Sequence, residues 1–244
     1  MAQHGRRRGR NGAVLSGATG LVVAHVAALA LRLAPGVAPT PATTVHACAG
    51  FGLDGDVQAD GLSPRQLLVA GTPAYARLGL APNALRENLL LEIDSAQLRS
   101  GQLLAVGTTA VLWLTFACEP CGRLNLHQPN LTRSIGAQRG MLARVLRSGT
   151  ISVGDPVRLL AATLAPSSND WRARVEAVLA SVPPDMVVEY RHLAKLAGVA
   201  LTYCRVFPRV ARALGLAHKA VPLRSTNPLP RWDGAELFAH PTPG

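Results

Sequence analysis

From residue 20 to about 160 the chain alternates short apolar runs with glycine, proline and aspartate. The runs fall at 21–27, 66–70, 89–93, 103–106, 110–116 and 141–146, and a last one closes the block at 151–160. Many are too short for helices and are rich in Val and Leu, which predicts strands of a closed or sandwiched sheet. Residues 21–32 read as a first buried strand. Gly101-Gln102, Gly107-Thr108 and Ser148-Gly149 supply turns between runs. Residues 75–80 read as the end of one short helix.

At 163–170 the pattern changes. This stretch is polar, contains Pro166 and ends in Asn169 and Asp170, both good N-cap residues. Beyond it, 171–180 has helical spacing, with Val175, Val178 and Leu179 on one face. A Pro183-Pro184 break, a short Val187-Val188 run and two helical segments hinged at Gly198 follow. The expected organisation is a disordered basic tail at 1–12, a mainly β domain at 13–163, a linker at 164–170 and a small mainly α domain at 171–244. No internal repeat relates the two blocks.

Composition narrows the class. A chain of 244 residues, 48% hydrophobic and 16% charged, can bury a core, which excludes a disordered or collagen-like protein. Four cysteines, at 48, 118, 121 and 204, are too few and too irregular for a disulfide scaffold, so a reducing compartment fits better. The net charge of +11 is uneven. Residues 1–12 hold four Arg and no acid, 13–170 hold 11 basic and 9 acidic side chains, and 171–244 hold 10 basic and 5 acidic. A basic last third points either to a polyanion, most simply nucleic acid, or to a solvated Arg-rich surface. Arg6, Arg7, Arg8 and Arg10 ahead of an apolar run superficially resemble a signal peptide. His25 and Arg32 break that run, however, and it falls short of the ~18–20 apolar residues of a membrane span. The expectation is a cytoplasmic protein with no membrane partner.

Seven motifs in the first block occur in a fixed order. They are Gly52-Leu53-Asp54-Gly55-Asp56, Arg65-Gln66, Leu85-Arg86-Glu87-Asn88-Leu89, Leu98 to Gly101, Glu119-Pro120-Cys121 through Asn125, Gln138-Arg139-Gly140 through Leu146, and Val153-Gly154-Asp155-Pro156-Val157. Together they resemble the MOSC superfamily, the molybdenum-cofactor sulfurase C-terminal domains and their relatives, especially the stand-alone bacterial members. The resemblance implies a β-barrel that binds or serves a molybdenum-pterin cofactor. It makes Cys121 the metal-ligating or persulfide-carrying cysteine, and Arg86 and Asn88 cofactor contacts. The residue chemistry agrees. Molybdenum is soft and accepts a thiolate, and Cys121 follows a proline at the rim of the 110–116 strand. Arg86 and Arg139 can grip a phosphate bidentately, and the Gly-rich turn at 52–56 admits close backbone approach. By analogy with relatives that detoxify N-hydroxylated base analogues, an N–OH group would lose its oxygen, with electrons from an external donor.

Blander readings stand beside these. Cys118 and Cys121 could be half of a zinc site, although no second pair exists, or a redox pair, although no strand-then-helix context supports one. Cys118 fits a buried core cysteine. Asp56 and Asp155 read as turn residues, and Arg144 and Arg147 as solvated charges.

The second block resembles the C-terminal domain of the O6-alkylguanine-DNA alkyltransferases, most clearly over 182–199 and again from Trp232 to His240. Ala194 and Gly198 sit where a helix-turn-helix needs a small residue and then a turn residue. The resemblance implies a winged-helix-like DNA-binding domain. Leu223, in the region where that family carries its nucleophilic cysteine, cannot accept an alkyl group. Cys204 lies 18 residues before Pro222, inside the expected recognition helix, so no alkyl transfer is expected. Arg205 best matches the arginine that fills the gap of a flipped base, and Pro208 is expected to kink or shorten its helix. Seven basic residues and no acid between Tyr190 and Arg224 make DNA the expected partner, with Tyr190, Lys195, Arg205 and Arg209 as contacts. The alternative is a remnant that only packs on the first domain.

Three functions follow. The first is a molybdenum-dependent N-hydroxyl reductase with an appended DNA-binding domain. The second is a non-enzymatic sensor of alkylated DNA with the barrel as scaffold. The third is a sulfur carrier, independent of pyridoxal phosphate, holding a persulfide on Cys121.

Overall fold

The computed structural model of the chain describes residues 20–239. The basic tail at 1–12, the start of the first block at 13–19 and His240 fall outside the described residues. The first block contains β1 (Leu21–Leu31), β2 (Thr40–Ala42), β3 (Thr44–Cys48), β4 (Gly52–Leu53), β5 (Leu67–Gly71), β6 (Leu89–Leu91), β7 (Gln102–Val106) and β8 (Ala110–Ala117). It continues with β9 (Met141–Arg147), β10 (Gly149–Ser152) and β11 (Pro156–Thr163). Neighbours run β11-β7-β8-β9-β5-β6-β1, and β1 returns to β11 with Leu21 opposite Leu159, closing a barrel. Val and Leu side chains from these strands, among them Leu67, Val69, Leu89, Leu104, Leu112 and Leu114, fill its interior. β10, β3 and β4 form a smaller sheet.

One barrel pair is parallel: β5 against β6, with Val69 opposite Leu89. Parallel strands cannot be joined by a hairpin. The chain therefore crosses over through α1 (Thr72–Leu78) and the following loop, and that loop carries Arg86, Glu87 and Asn88. A shorter α2 (Leu131–Ser134) precedes β9.

Several expectations are corrected. The 151–160 run is two strands, split where Ser152 N–H is held by the Asp155 carboxylate at 2.8 Å. β1 is buried only from Ala24 onward, and Leu21 remains 77% exposed. The short, partly polar β2, β3 and β4 lack an apolar run. Arg144, read as a solvated charge, is buried: it donates to the carbonyls of Ser63, Gly50 and Gly61 and lies 3.9 Å over the Phe238 ring. Burial pulls its guanidinium down to about 10, with Asp60 acting in the opposite sense.

The second block holds α3 (Trp171–Ser181), α4 (Tyr190–Leu196) and α5 (Phe207–Ala213), with β12 (Val188–Glu189) parallel to β13 (Ala220–Val221). The Asp170 carboxylate caps α3 by accepting from Arg172 N–H, and Val175, Val178 and Leu179 form its buried face. Gly198, at φ +62°, ends α4. A 3₁₀ turn over Leu201–Arg205 precedes α5. Pro208 therefore lies in the first turn of α5, where a missing N–H costs nothing, and it does not kink the helix. Cys204 and Arg205 sit in the 3₁₀ turn, not in a recognition helix.

The two blocks share an interface. Residues 164–170 run along the barrel: Leu164 N–H donates to Gly101, Ser167 N–H to Ser100 Oγ, and Asn169 Oδ1 accepts from Ala117 N–H. Arg174 on α3 is 5% exposed and stacks 3.8 Å over Phe116 of β8. It donates to the carbonyls of Ala197, Ser168 and Asn169 and to Glu119 at 3.1 Å. Arg65 reaches the Gly198 carbonyl at 2.9 Å. A Cβ at Gly198 would meet Phe116 and Pro64 at 2.7 Å, so only glycine permits this approach.

Candidate functional site

The crossover loop carries two non-glycine residues in the left-handed region, Asn83 at φ +59° and Arg86 at φ +56°. Such backbone is sparsely populated and is held by its surroundings. Glu87, immediately after Arg86, is buried; its Oε1 accepts from the Tyr75 hydroxyl at 2.6 Å, and its Oε2 has no partner. Burial pushes the Glu87 carboxyl up, while Tyr75 and Arg139 act against that shift. Burial likewise raises the Tyr75 phenol, and Glu87 adds to it.

Asn88 is fully buried and fully engaged. Its Oδ1 accepts from Arg32 at 2.6 Å and from Leu68 N–H at 3.0 Å, and its Nδ2 donates to Asp56 at 2.6 Å and Ala30 at 3.1 Å. An asparagine side chain makes about four hydrogen bonds. Asn88 thus has no atom left for a ligand and acts through Arg32, which also pairs with Asp56 at 3.1 Å.

The Cys121 thiol is exposed, ahead of a 3₁₀ turn over Gly122–Leu126, and its carbonyl accepts from Thr132 Oγ1 at 3.1 Å. Cys118 is buried. Arg86 donates to the Val37 carbonyl at 2.6 Å. Its guanidinium is lowered first by burial, then by Arg123 and Arg32, with Arg139 adding a little and Cys121 opposing. Arg123, Arg32, Arg139 and the Cys121 thiol thus all lie within electrostatic reach of Arg86. Arg139 is 6% exposed, donates to the Leu85 carbonyl at 2.9 Å and leaves its buried Nε without a partner. Such an arrangement can hold an anion beside a soft ligand atom.

Cys121 and Arg139 both lie within electrostatic reach of Arg86, whereas Asn88 is locked in the interior. Sequence reasoning missed Arg123, although it lies two positions after Cys121. It also missed Arg32, read only as an interruption of an apolar run, and Asp56, read as a turn residue. Among the described residues no cluster of three or more His, Cys, Asp or Glu is placed to hold a metal ion. No helix among them is long and apolar enough to cross a membrane.

In the second block the candidates separate. Tyr190 is half-buried; burial raises its phenol and the nearby Arg212 opposes that shift. Arg212 had been only one charge among seven. Lys195 is ion-paired with Asp60 of the barrel at 2.8 Å. Arg205 and Arg209 stand exposed on a different face, beside Trp171 and Tyr203.

Residues 68–158 match the MOSC domain family profile, and no curated protein matches the chain. Among solved structures the chain is similar to the YuaD protein from Bacillus subtilis, with TM-score 0.48 and 18% identity over 56% of this chain and 94% of that one. It is also similar to YiiM from Geobacillus stearothermophilus, with TM-score 0.46 and 18% identity over 78% and 97% of the two chains. For YiiM from Escherichia coli the TM-score is 0.45, with 20% identity over 78% and 94%. The crossover loop, the Cys121 segment and five strands of the barrel, β5 to β9, fall wholly or largely within residues 68–158, the span that matches the MOSC domain family.

Proposed function

We propose that the barrel binds a molybdenum-pterin cofactor at the Cys121 rim and reduces N-hydroxylated, nucleobase-type substrates with electrons from an external donor. One observation carries this reading: Arg86, which feels Arg32, Arg123 and Arg139, lies within electrostatic reach of the exposed Cys121 thiol, and all of these but Arg32 fall in the span that matches the MOSC domain family. The residues fit the group. The thiol suits a soft metal, the guanidinium groups suit a phosphate, and the orphaned Arg139 Nε is a donor awaiting an acceptor. When bound, the cofactor supplies the redox chemistry. Cys121 supplies the protein thiolate, Arg86 and Arg123 bind the anion, and Asn88 with Asp56 holds Arg32 in position.

Metal and pterin analysis of protein from a molybdenum-competent host tests this. Near-stoichiometric molybdenum and pterin are expected, lost in Cys121→Ala and reduced in Arg86→Ala. Absence of both, while a control protein loads, overturns it. A mass increase of about 32 Da on Cys121 that a thiol reductant removes, without molybdenum, would instead mark a sulfur carrier.

A second reading, DNA binding by the helical block, is favoured by the nearness of exposed Arg212 to the half-buried Tyr190. Salt-sensitive duplex binding is expected, weakened by Tyr190→Ala and Arg212→Ala and less by Lys195→Ala, because Asp60 already holds that lysine. Exposed Leu223 offers no nucleophile for alkyl transfer.

A further inference from the structure

Away from Cys121, a cleft of about 720 Å³ opens between the start of α3 and residues 202–214. Its size is that of small-molecule sites. Trp171 and Tyr203, both partly exposed, meet edge to face at 4.8 Å. The Arg172 guanidinium lies 4.4 Å over the Trp171 ring. Val206, Val210 and Leu214 give the cleft an apolar floor, and Arg205 and Arg209 stand exposed at its rim. Glu176 is the one acidic residue lining it, against three arginines.

These features ask for different things of an occupant. Aromatic and aliphatic walls favour a flat, apolar body. The excess of arginine favours an anion, and guanidinium groups match phosphate geometry. A carboxylate inside an otherwise basic cleft favours an N–H donor on the same ligand, as cytosine and guanine edges provide. A nucleotide with an amino-bearing base combines all three. An acidic peptide would satisfy the arginines but would leave Glu176 facing like charge.

We propose that the α3–α5 cleft is a nucleotide site: the base lies against Trp171 and Tyr203, its N–H edge donates to Glu176, and its phosphate pairs with Arg205 and Arg209. The site requires neither the cofactor at Cys121 nor duplex binding at the Tyr190 face. The nucleotide is either free or an unpaired residue of single-stranded nucleic acid.

The test titrates the full chain with dGMP, dTMP and a short single-stranded deoxyguanosine-containing oligonucleotide, by calorimetry and tryptophan fluorescence. Saturable binding with quenching is expected, with dGMP preferred over dTMP and that preference narrowed in Glu176→Gln. The Arg205→Ala, Arg209→Ala double variant should weaken binding by about tenfold or more, since charge-assisted hydrogen bonds are lost. Both arginines are exposed, so this variant tests the site without disturbing the core. Tighter binding of the oligonucleotide identifies single-stranded nucleic acid as the source, and equal binding of dGMP identifies a free nucleotide. Absence of saturable binding by either ligand overturns the proposal, as does binding that the double-arginine variant leaves unchanged. An acidic peptide that binds where dGMP does not also overturns it. Metal content, measured separately, reports independently on the cofactor reading.

Discussion

Arg86 and Asn88 lie two positions apart on one loop, yet one is partly exposed and the other is locked in the interior. Their motif was legible because the residue types follow one another in the chain. Arg32 and Asp56 were not legible, because they come from distant segments and meet only when β1 and the 52–56 turn pack together. Asn88→Ala would leave the Leu68 N–H, the Ala30 carbonyl and Asp56 with lost partners in a dry interior. A loss of about 3 kcal/mol is expected in urea unfolding. Glu87 gives a pH-dependent prediction. Its carboxyl is raised in the folded state, so the protein retains a proton there that the unfolded chain releases. The stability linked to that proton is fully present below the unfolded value and is lost as pH rises through the folded one. Glu87→Gln cannot ionise, so its Tm relative to wild type should increase between pH 4 and pH 8. A pH-independent difference would refute the assignment.

At the scale of elements, the long apolar runs gave strands and the 3.6-residue spacing gave α3, because burial on one face leaves a periodic trace. β2, β3 and β4 left none, being short and half-exposed. Nor does hydropathy reveal which strands run parallel, although the β5–β6 crossover is what delivers the site residues. The clearest link between elements is Arg174, which joins α3 to the segment bearing both central cysteines. Arg174→Ala removes the ion pair to Glu119 and the support of three carbonyls, and should cost about 2–4 kcal/mol. Freed of that clamp, the buried Cys118 should react faster with iodoacetamide, measured by mass spectrometry. Arg174→Lys should restore this only in part, because one ammonium cannot span all four acceptors.

For the molecule as a whole, the sequence supports two blocks and the structure shows how tightly they are joined. Texture and charge separated 171–244 from the barrel, but no local signal announced that Gly198 would lie against Phe116 or that Phe238 would cover Arg144. With so continuous an interface, thermal unfolding of the full chain is expected as one transition by both near- and far-ultraviolet circular dichroism. Gly198→Ala should lower stability by about 2–4 kcal/mol, combining a left-handed backbone with a clash at the interface. Two separate transitions in that variant would show that this contact couples the blocks.

The closure of the barrel also has a consequence for how the protein is made. β1 is the first strand of the barrel to be synthesised and its partner β11 the last, with Leu21 waiting for Leu159. At roughly 5–20 residues per second that interval is on the order of ten seconds. Throughout it the Val- and Leu-rich β1 presents an unpaired edge, the kind of surface that invites capture by another nascent chain. Slowing the meeting of β1 with β11 is therefore expected to raise aggregation of the newly made chain.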